Sequence, residues 1–387
     1  MMQDNSMTLI YEEVLMSTES MKISYPAIYA GTQYSQINFY SGTPDLCSVF
    51  YNQEENCTQR RFFITDANVA SLECMQNFIQ KFDDGIYEND RLLILGSGEK
   101  YKTIESVLSI ITAAVEADFT RKDIFVGIGG GVICDITAFA ASIFKRGAKV
   151  EFIPTTLLAM VDASIGGKTG CDYENYKNII GTFFPAQKLY YFPEFLQYLP
   201  ENQYNSGLAE AVKTAILFDS ELFDIFKNDS QKINERDKDL LELIIRKCVK
   251  AKAEIVEQDF TEQGIRAFLN LGHTFGHALE STSGLGNITH GCAVAWGIGR
   301  SVDLAYQKEY CRQSFRDEVY KVLEQYNWDT QAIPQIVQGG GVGERLLSVM
   351  HKDKKNLTDK IRIVLAKGIT DIVIEEFSDE EILSVLK

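Results

Sequence analysis

An apolar run, Asp123-Ile-Phe-Val-Gly-Ile-Gly, ends in three consecutive glycines, Gly129, Gly130 and Gly131. A helical run from Ile136 to Phe144 follows almost at once. A buried strand, a tight turn and a helix in that order predict one unit of a parallel sheet wound with helices. The neighbouring text repeats the pattern. Arg61 to Asp66, the run from Arg91 and the run from Val150 read as further strands, and Ile104 to Ala117 carries apolar residues at helical spacing. From about residue 190 helical periods dominate, over Ser206–Phe218, Asp237–Glu257, His273–Thr282, His290–Gln307 and Gln313–Gln325. Ser206 reads as the N-cap of the first of these.

The expected architecture is therefore an α/β N-terminal domain with a mainly parallel sheet and a mainly α-helical C-terminal domain. With 387 residues the chain exceeds what one core usually serves. The boundaries expected are an extension over 1–35, an α/β domain over 36–187 and a helical domain over 188–387. A formal charge of −16 argues against a nucleic acid or an anionic membrane as partner. The eight cysteines include no Cys-x-x-Cys, which fits reduced thiols in a cytoplasmic protein better than a disulfide framework or zinc knuckle. The first residues carry acids early and lack a basic, then apolar, secretory pattern.

The glycine turn offers a place for a phosphate. Backbone can approach closely there, and a helix N-terminus presents free N–H groups and a positive dipole end. The sequence is not the G-x-G-x-x-G dinucleotide fingerprint. Other polar residues are expected at the carboxyl ends of the strands, where open α/β sheets bind ligands. They are Asp66, Asn68, Glu99, Lys102, Thr155 and Thr156, with Gly130, Gly131 and Asp135 at the turn itself. Such a constellation suits a nucleotide.

Histidine is rare here, four in all, yet His273, His277 and His290 fall within eighteen residues. His273 and His277, four apart, share a helix face, as do Glu210 and Lys213, three apart. One carboxylate and two imidazoles would make a three-ligand site with an open position, as in catalytic zinc. Spacing leaves open which two histidines bind. Arg146, Lys168, Lys177, Lys213, Lys252, Arg266 and Lys354 attach to these same segments and suggest a local pocket for an anion. Lys168 and Lys213 stand in glycine-rich or apolar text, where a buried charge needs a partner.

Taken in order, these blocks resemble the 3-dehydroquinate synthase family over roughly 60–370. The blocks are Gly-Gly-Gly-Val-Ile-Cys-Asp135, Pro154 to Lys168, Lys177-Asn-Ile-Ile-Gly, Gly-Leu-Ala-Glu-Ala-Val-Lys213, Leu-Asn270-Leu-Gly-His-Thr-Phe-Gly-His277 and Asp353-Lys-Lys. The resemblance implies NAD on the N-terminal domain and a divalent metal, Zn2+ or Co2+, on the C-terminal one. It implies conversion of 3-deoxy-D-arabino-heptulosonate 7-phosphate to 3-dehydroquinate and phosphate. The route is transient oxidation, phosphate elimination, hydride return and aldol closure. Related cyclases of the inosose or valiolone type and a metal-dependent polyol dehydrogenase are the rival readings.

Glu210, His273 and His290 are implied as metal ligands, and His277 as a proton-handling residue near the phosphate. Arg146, Lys168, Asn178, Asn270 and Lys354 would hold the phosphate and neighbouring oxygens. Lys252 and Arg266 would serve the carboxylate and ring hydroxyls, with Asp162 and Lys213 in the same catalytic set. NAD would lie on the strand-end residues above, with Lys168 and Lys177. A phosphorylated sugar acid is the implied partner and a homodimer the implied assembly, Arg146 coming from the neighbouring subunit. Cys134, Cys171 and Cys292 depart from the family's usual residues. Cys292 stands where a glutamate usually follows His-Gly, which would cost His290 an orienting carboxylate.

Overall fold

A computed structural model describes residues 20–25, 34–51, 59–174, 176–284, 286–352 and 360–387. Lys354, the last of the expected phosphate-holding bases, lies outside them. The chain forms two compact units. One runs to Thr155 and resumes over Gly167–Tyr198, and the other comprises Thr156–Gly166 and Leu199–Lys387. The segment 156–166, expected in the N-terminal domain, thus folds with the second unit. The stretch 188–198, expected in the second, folds with the first.

The first unit is a seven-stranded sheet. Its strands are β1 (Ser20–Ser24), β2 (Tyr34–Phe39), β3 (Arg61–Asp66), β4 (Arg91–Leu95), β5 (Ile124–Gly129), β6 (Lys149–Pro154) and, later in the chain, β9 (Lys188–Tyr191). A separate antiparallel hairpin joins β7 (Lys168–Tyr173) to β8 (Tyr176–Phe183). The order across the main sheet is β1-β2-β9-β6-β5-β3-β4. All neighbours run parallel except β1 and β2. The centre of the sheet is buried, with Phe62, Phe63, Ile64, Phe125, Val126 and Ile128 all at 1% exposure or less. This is why the central strands read as continuous apolar runs. Part of the stretch expected to be a loose N-terminal extension instead supplies β1, the antiparallel edge.

The second unit is mainly helical and also carries an antiparallel pair, β10 (Ile361–Gly368) and β11 (Asp371–Phe377). Three of its helices bear the residues of interest and are named here by them. The Glu210 helix spans Glu201–Phe218, the His273 helix His273–Ser283 and the His290 helix His290–Gln307. The first of these starts five residues before Ser206, so Ser206 is not its N-cap; Pro200 is. A fourth, Lys238–Gln258, is capped by Asp237, whose carboxylate accepts from the Leu240 amide.

Glycine sets how near these helices come. A Cβ on Gly291 would stand 1.9 Å from the Ser206 carbonyl oxygen, and one on Gly297 would stand 2.0 Å from that of Gly272. The His290 helix therefore lies in backbone contact with both of its neighbours. Ser206 ties the first contact, its hydroxyl accepting from the Gly291 amide at 2.9 Å. Because no rotamer relieves a clash of Cβ with backbone, Gly297→Ala is expected to destabilise the protein by about 1–3 kcal/mol or more. Thermal or urea unfolding measures this, and a melting curve identical to wild type would contradict the packing described.

Candidate metal centre and nucleotide site

Glu210 is 1% exposed, on the innermost face of its helix. Its Oε1 lies 3.6 Å from His273 Nε2 and 3.3 Å from His290 Nε2. The Lys213 ammonium, one helical turn on, closes against Oε2. Beyond Lys213 and the two imidazoles, neither carboxylate oxygen has a hydrogen-bond partner. An anion sunk this deep with its oxygens under-satisfied is costly unless positive charge is added. A divalent cation fits the demand. Ligand atoms about 2.0–2.1 Å from a tetrahedral zinc stand about 3.3–3.4 Å apart, close to the two separations observed. The ring nitrogens of His273, His277 and His290 also lie within 4.8 Å of one another. His277, the exposed member, sits at the rim of the cluster.

The electrostatics agree. Burial pushes the Glu210 carboxyl up, but Lys213, His273 and His290 outweigh it and hold it well below the carboxylate range. Burial and the Lys213 charge keep His273 well below its usual value, hence neutral and able to donate a lone pair. Burial works against the His290 imidazolium too, yet hydrogen bonds to Glu210 and Glu280 raise its pKa to about 10. Without a cation, two carboxylates draw a proton onto His290; a bound cation would take the place of that proton.

Each imidazole is held by its other nitrogen. His273 Nδ1 lies 3.1 Å from the Leu271 carbonyl oxygen, and His290 Nδ1 lies 3.3 Å from Glu280 Oε2. Glu280 corrects the expectation drawn from Cys292. His290 keeps a carboxylate partner, supplied by the His273 helix rather than by its own. The signal was in the sequence: His273, His277 and Glu280 stand at i, i+4 and i+7, one helix face.

A second pair, a buried lysine with a half-buried carboxylate, adjoins the first. After β6 the chain makes one π-helical turn, Ala159–Ala163, whose amide at Ala159 bonds to the Thr156 hydroxyl at 3.2 Å. This turn presents Asp162 to Lys252. The ammonium donates to the Asp162 carbonyl at 2.6 Å and to Oδ1 at 2.7 Å. Burial raises Asp162, while Lys252 and Lys213 bring it down to about 2. Burial and Arg266 lower Lys252 to about 8 against the pull of Asp162. Arg266 is 1% exposed, its guanidinium bonded to the carbonyls of Phe260 and Gly166. Asn270 donates to Glu262 Oε1 at 2.8 Å.

In the first unit the structure gathers another set of expected residues. Lys102, 6% exposed, pairs with Asp135 Oδ2 at 2.6 Å and donates to Asn178 Oδ1 at 2.6 Å. Asn178, at φ 51°, is held by its own amide on Asp172 Oδ1 at 2.7 Å. Asp172 escaped the sequence reading. Lys177 stands 3.7 Å from Glu99. Gly130 opens the helix Gly131–Ile143 with no side chain capping it, so its first amides are left for a ligand. Asp66 Oδ1 accepts from the amides of Asn68 and Val69 and from the Ser97 hydroxyl, which orients it at the end of β3. The Thr155 amide bonds to the Gly129 carbonyl across the ends of β5 and β6. Lys168 and Arg146 are exposed. Lys213 is thus buried beside a carboxylate as expected, whereas Lys168 is not buried.

A wound parallel sheet with an uncapped glycine turn, and a helical unit with a carboxylate flanked by imidazoles, define a two-unit α/β and helical fold with a candidate metal centre. Residues 92–206 match the family model for the 3-dehydroquinate synthase N-terminal region, and 207–356 that for the C-terminal region. The 3-dehydroquinate synthase of Acidithiobacillus ferrooxidans is 37% identical over 313 residues, 80% of this chain and 83% of that protein. That of Wolinella succinogenes is 41% identical over 291 residues, 75% and 81% respectively. Among solved structures, a 2-epi-5-epi-valiolone synthase from Streptomyces hygroscopicus, with NAD+ and Zn2+ bound, is 25% identical. It superposes with a TM-score of 0.78 over 90% of this chain and 95% of its own. A 2-deoxy-scyllo-inosose synthase shares the fold at a TM-score of 0.80 and 22% identity, over 95% of this chain and 99% of its own. This chain belongs to the 3-dehydroquinate synthase family.

The Asp162–Lys252 pair yields a test with a defined sign. Removing Asp162 leaves the buried Lys252 ammonium without its carboxylate, a loss smaller than the ~3–5 kcal/mol of a fully buried pair because Asp162 is only half-buried. In Asp162→Asn, Lys252 keeps the burial and the Arg266 charge that lower its pKa and loses the carboxylate that raises it. Its folded value then falls further below the unfolded one, near 10.4. Between the two values the unfolded chain binds more protons, so stability rises with pH. Asp162→Asn is expected to melt well below wild type at pH 7 and to regain part of the loss by pH 9. A loss independent of pH would contradict the assignment.

Proposed function

We propose that this chain is a 3-dehydroquinate synthase acting on 3-deoxy-D-arabino-heptulosonate 7-phosphate, with NAD and a divalent metal, Zn2+ or Co2+, as cofactors. The observation that carries the reading is the buried Glu210 carboxylate facing two imidazole Nε2 atoms at 3.3 and 3.6 Å. Sequence identity of 37–41% to proteins of that name supports the choice of substrate over those of the related cyclases. Cytoplasmic location and a homodimer complete the proposal. Among the described residues no helix is long and apolar enough to cross a membrane.

Bound NAD would supply a reversible acceptor for one hydride, and the metal Lewis acidity at adjacent hydroxyls. The rest falls to the chain. Glu210, His273 and His290 hold the cation, and Lys213 keeps Glu210 ionised. Asp66, Asn68, Glu99, Lys102, Gly130, Gly131, Asp135, Thr155, Thr156, Lys168 and Lys177 serve the dinucleotide. Lys102 would act partly by fixing Asp135 and Asn178. Arg146, Lys168, Asn178, Asn270 and Lys354 receive the phosphate. His277, exposed at the rim of the cluster, handles the proton that accompanies phosphate departure. Asp162 sets the position of Lys252, which serves a ring hydroxyl with an ammonium whose pKa is about 8. Arg266 answers the carboxylate, and its two backbone bonds fix the plane of its guanidinium in advance.

The deciding experiment is incubation with the heptulosonate phosphate, NAD+ and zinc, following phosphate, NADH and the ring product. Phosphate and dehydroquinate should form while NADH does not accumulate. Stoichiometric NADH would instead identify a polyol dehydrogenase, and equal cyclisation of glucose 6-phosphate a related cyclase. Glu210→Ala should lose metal and turnover together. Arg266→Ala should lower turnover roughly ten- to a hundredfold, the loss of one charge-assisted bond worth about 1.5–3 kcal/mol, with metal and NAD still bound. Turnover unchanged in Arg266→Ala would remove the carboxylate from the proposal.

A further inference from the structure

The two imidazoles that face Glu210 are held from behind by unlike groups. His273 leans on a neutral backbone carbonyl, that of Leu271. His290 leans on Glu280, a carboxylate that is 4% exposed and lies on the ring's opposite side from Glu210. Glu280 Oε2 is 3.3 Å from Nδ1, while Glu210 Oε1 is 3.3 Å from Nε2. Reaching the ring from that far side, Glu280 cannot share a cation with Glu210. The two histidines also differ in anchorage. His273 begins one helix directly after a glycine at φ 77°, and His290 begins another, tied to the Glu210 helix through Gly291 and Ser206.

We infer that Glu280 is the positioning residue for His290. It accepts the Nδ1 proton, which fixes the tautomer with its lone pair on Nε2, and its charge makes that nitrogen the stronger donor of the pair. A carbonyl can orient a ring as well as a carboxylate can, but it adds no negative charge. The centre is therefore asymmetric, with His290 as its tighter imidazole and Glu280 setting how tightly it grips.

The inference rests on the proposed metal site, so the experiment separates the two. Zinc affinity is measured by competition with a chromophoric chelator, and cobalt binding by its visible spectrum, on the purified full-length chain. Wild type should bind one ion, and a wild type that binds neither metal would remove the site itself. Glu280→Gln keeps the shape and a hydrogen-bond acceptor but removes the charge. It should weaken metal binding about ten- to a hundredfold and shift the cobalt spectrum, in a metal-free protein that still folds cooperatively. Glu280→Asp keeps the charge but draws it back from Nδ1, and should fall between the two. If one variant fails to fold, the other decides. Wild-type affinity and spectrum in the folded variants, with the wild-type protein binding metal normally, would overturn the positioning role alone.

Discussion

A carboxylate that is 1% exposed organises the second unit. Glu210 cannot remain ionised there unsupported, and the fold brings partners from three directions, Lys213 and His290 as cations and His273 as a neutral imidazole. Lys213 comes from the same helix, and His273 and His290 from the starts of two others. Deep burial strengthens each of these attractions and equally the penalty for losing one. The helices must therefore stay close, and their closeness is built into backbone rather than side chains. Gly291 against Ser206 and Gly297 against Gly272 leave no room for a Cβ.

The charges beyond Glu210 alternate. Lys213 answers it, Asp162 lies in the field of Lys213, Lys252 pairs with Asp162, and Arg266 bears on Lys252. Such an array fixes the protonation of its members together. Its outcome is a low-pKa acid, a buried lysine brought down to about 8 and a neutral histidine within one compact unit. Of these only Lys252 is brought close to neutral pH, where general acid–base chemistry works best. The first unit shows the same economy around Lys102, where one ammonium orders Asp135 and Asn178 at once.

Much of this was legible in the sequence for simple reasons. Central strands of a parallel sheet are buried on both faces, so β3 and β5 read as apolar runs, while β6 and the edge strand β4 were still marked by short apolar text. Long amphipathic helices announce themselves by period, and the His290–Gln307 and Gln313–Gln325 helices have the expected bounds. The strands β1, β2 and β9 were not legible. β9 has only four residues, and β1 and β2 carry mixed polar text that a period of two does not reveal. Ser206 misled because a serine at a helix start and a serine tethering a neighbouring helix look alike in one dimension.

The sequence alone determined which chemistry is present: three histidines, a carboxylate and a set of bases on a few short segments, and a glycine turn opening a helix. Those are matters of residue type and local spacing, which a chain carries regardless of how it folds. Only the tertiary structure decided the pairings. It placed Glu280 rather than residue 292 behind His290, gave Lys252 to Asp162, and buried Lys213 while leaving Lys168 exposed. Each depends on the approach of elements distant in sequence. Their separation is set by backbone contacts such as Gly291 to Ser206, which local spacing does not encode.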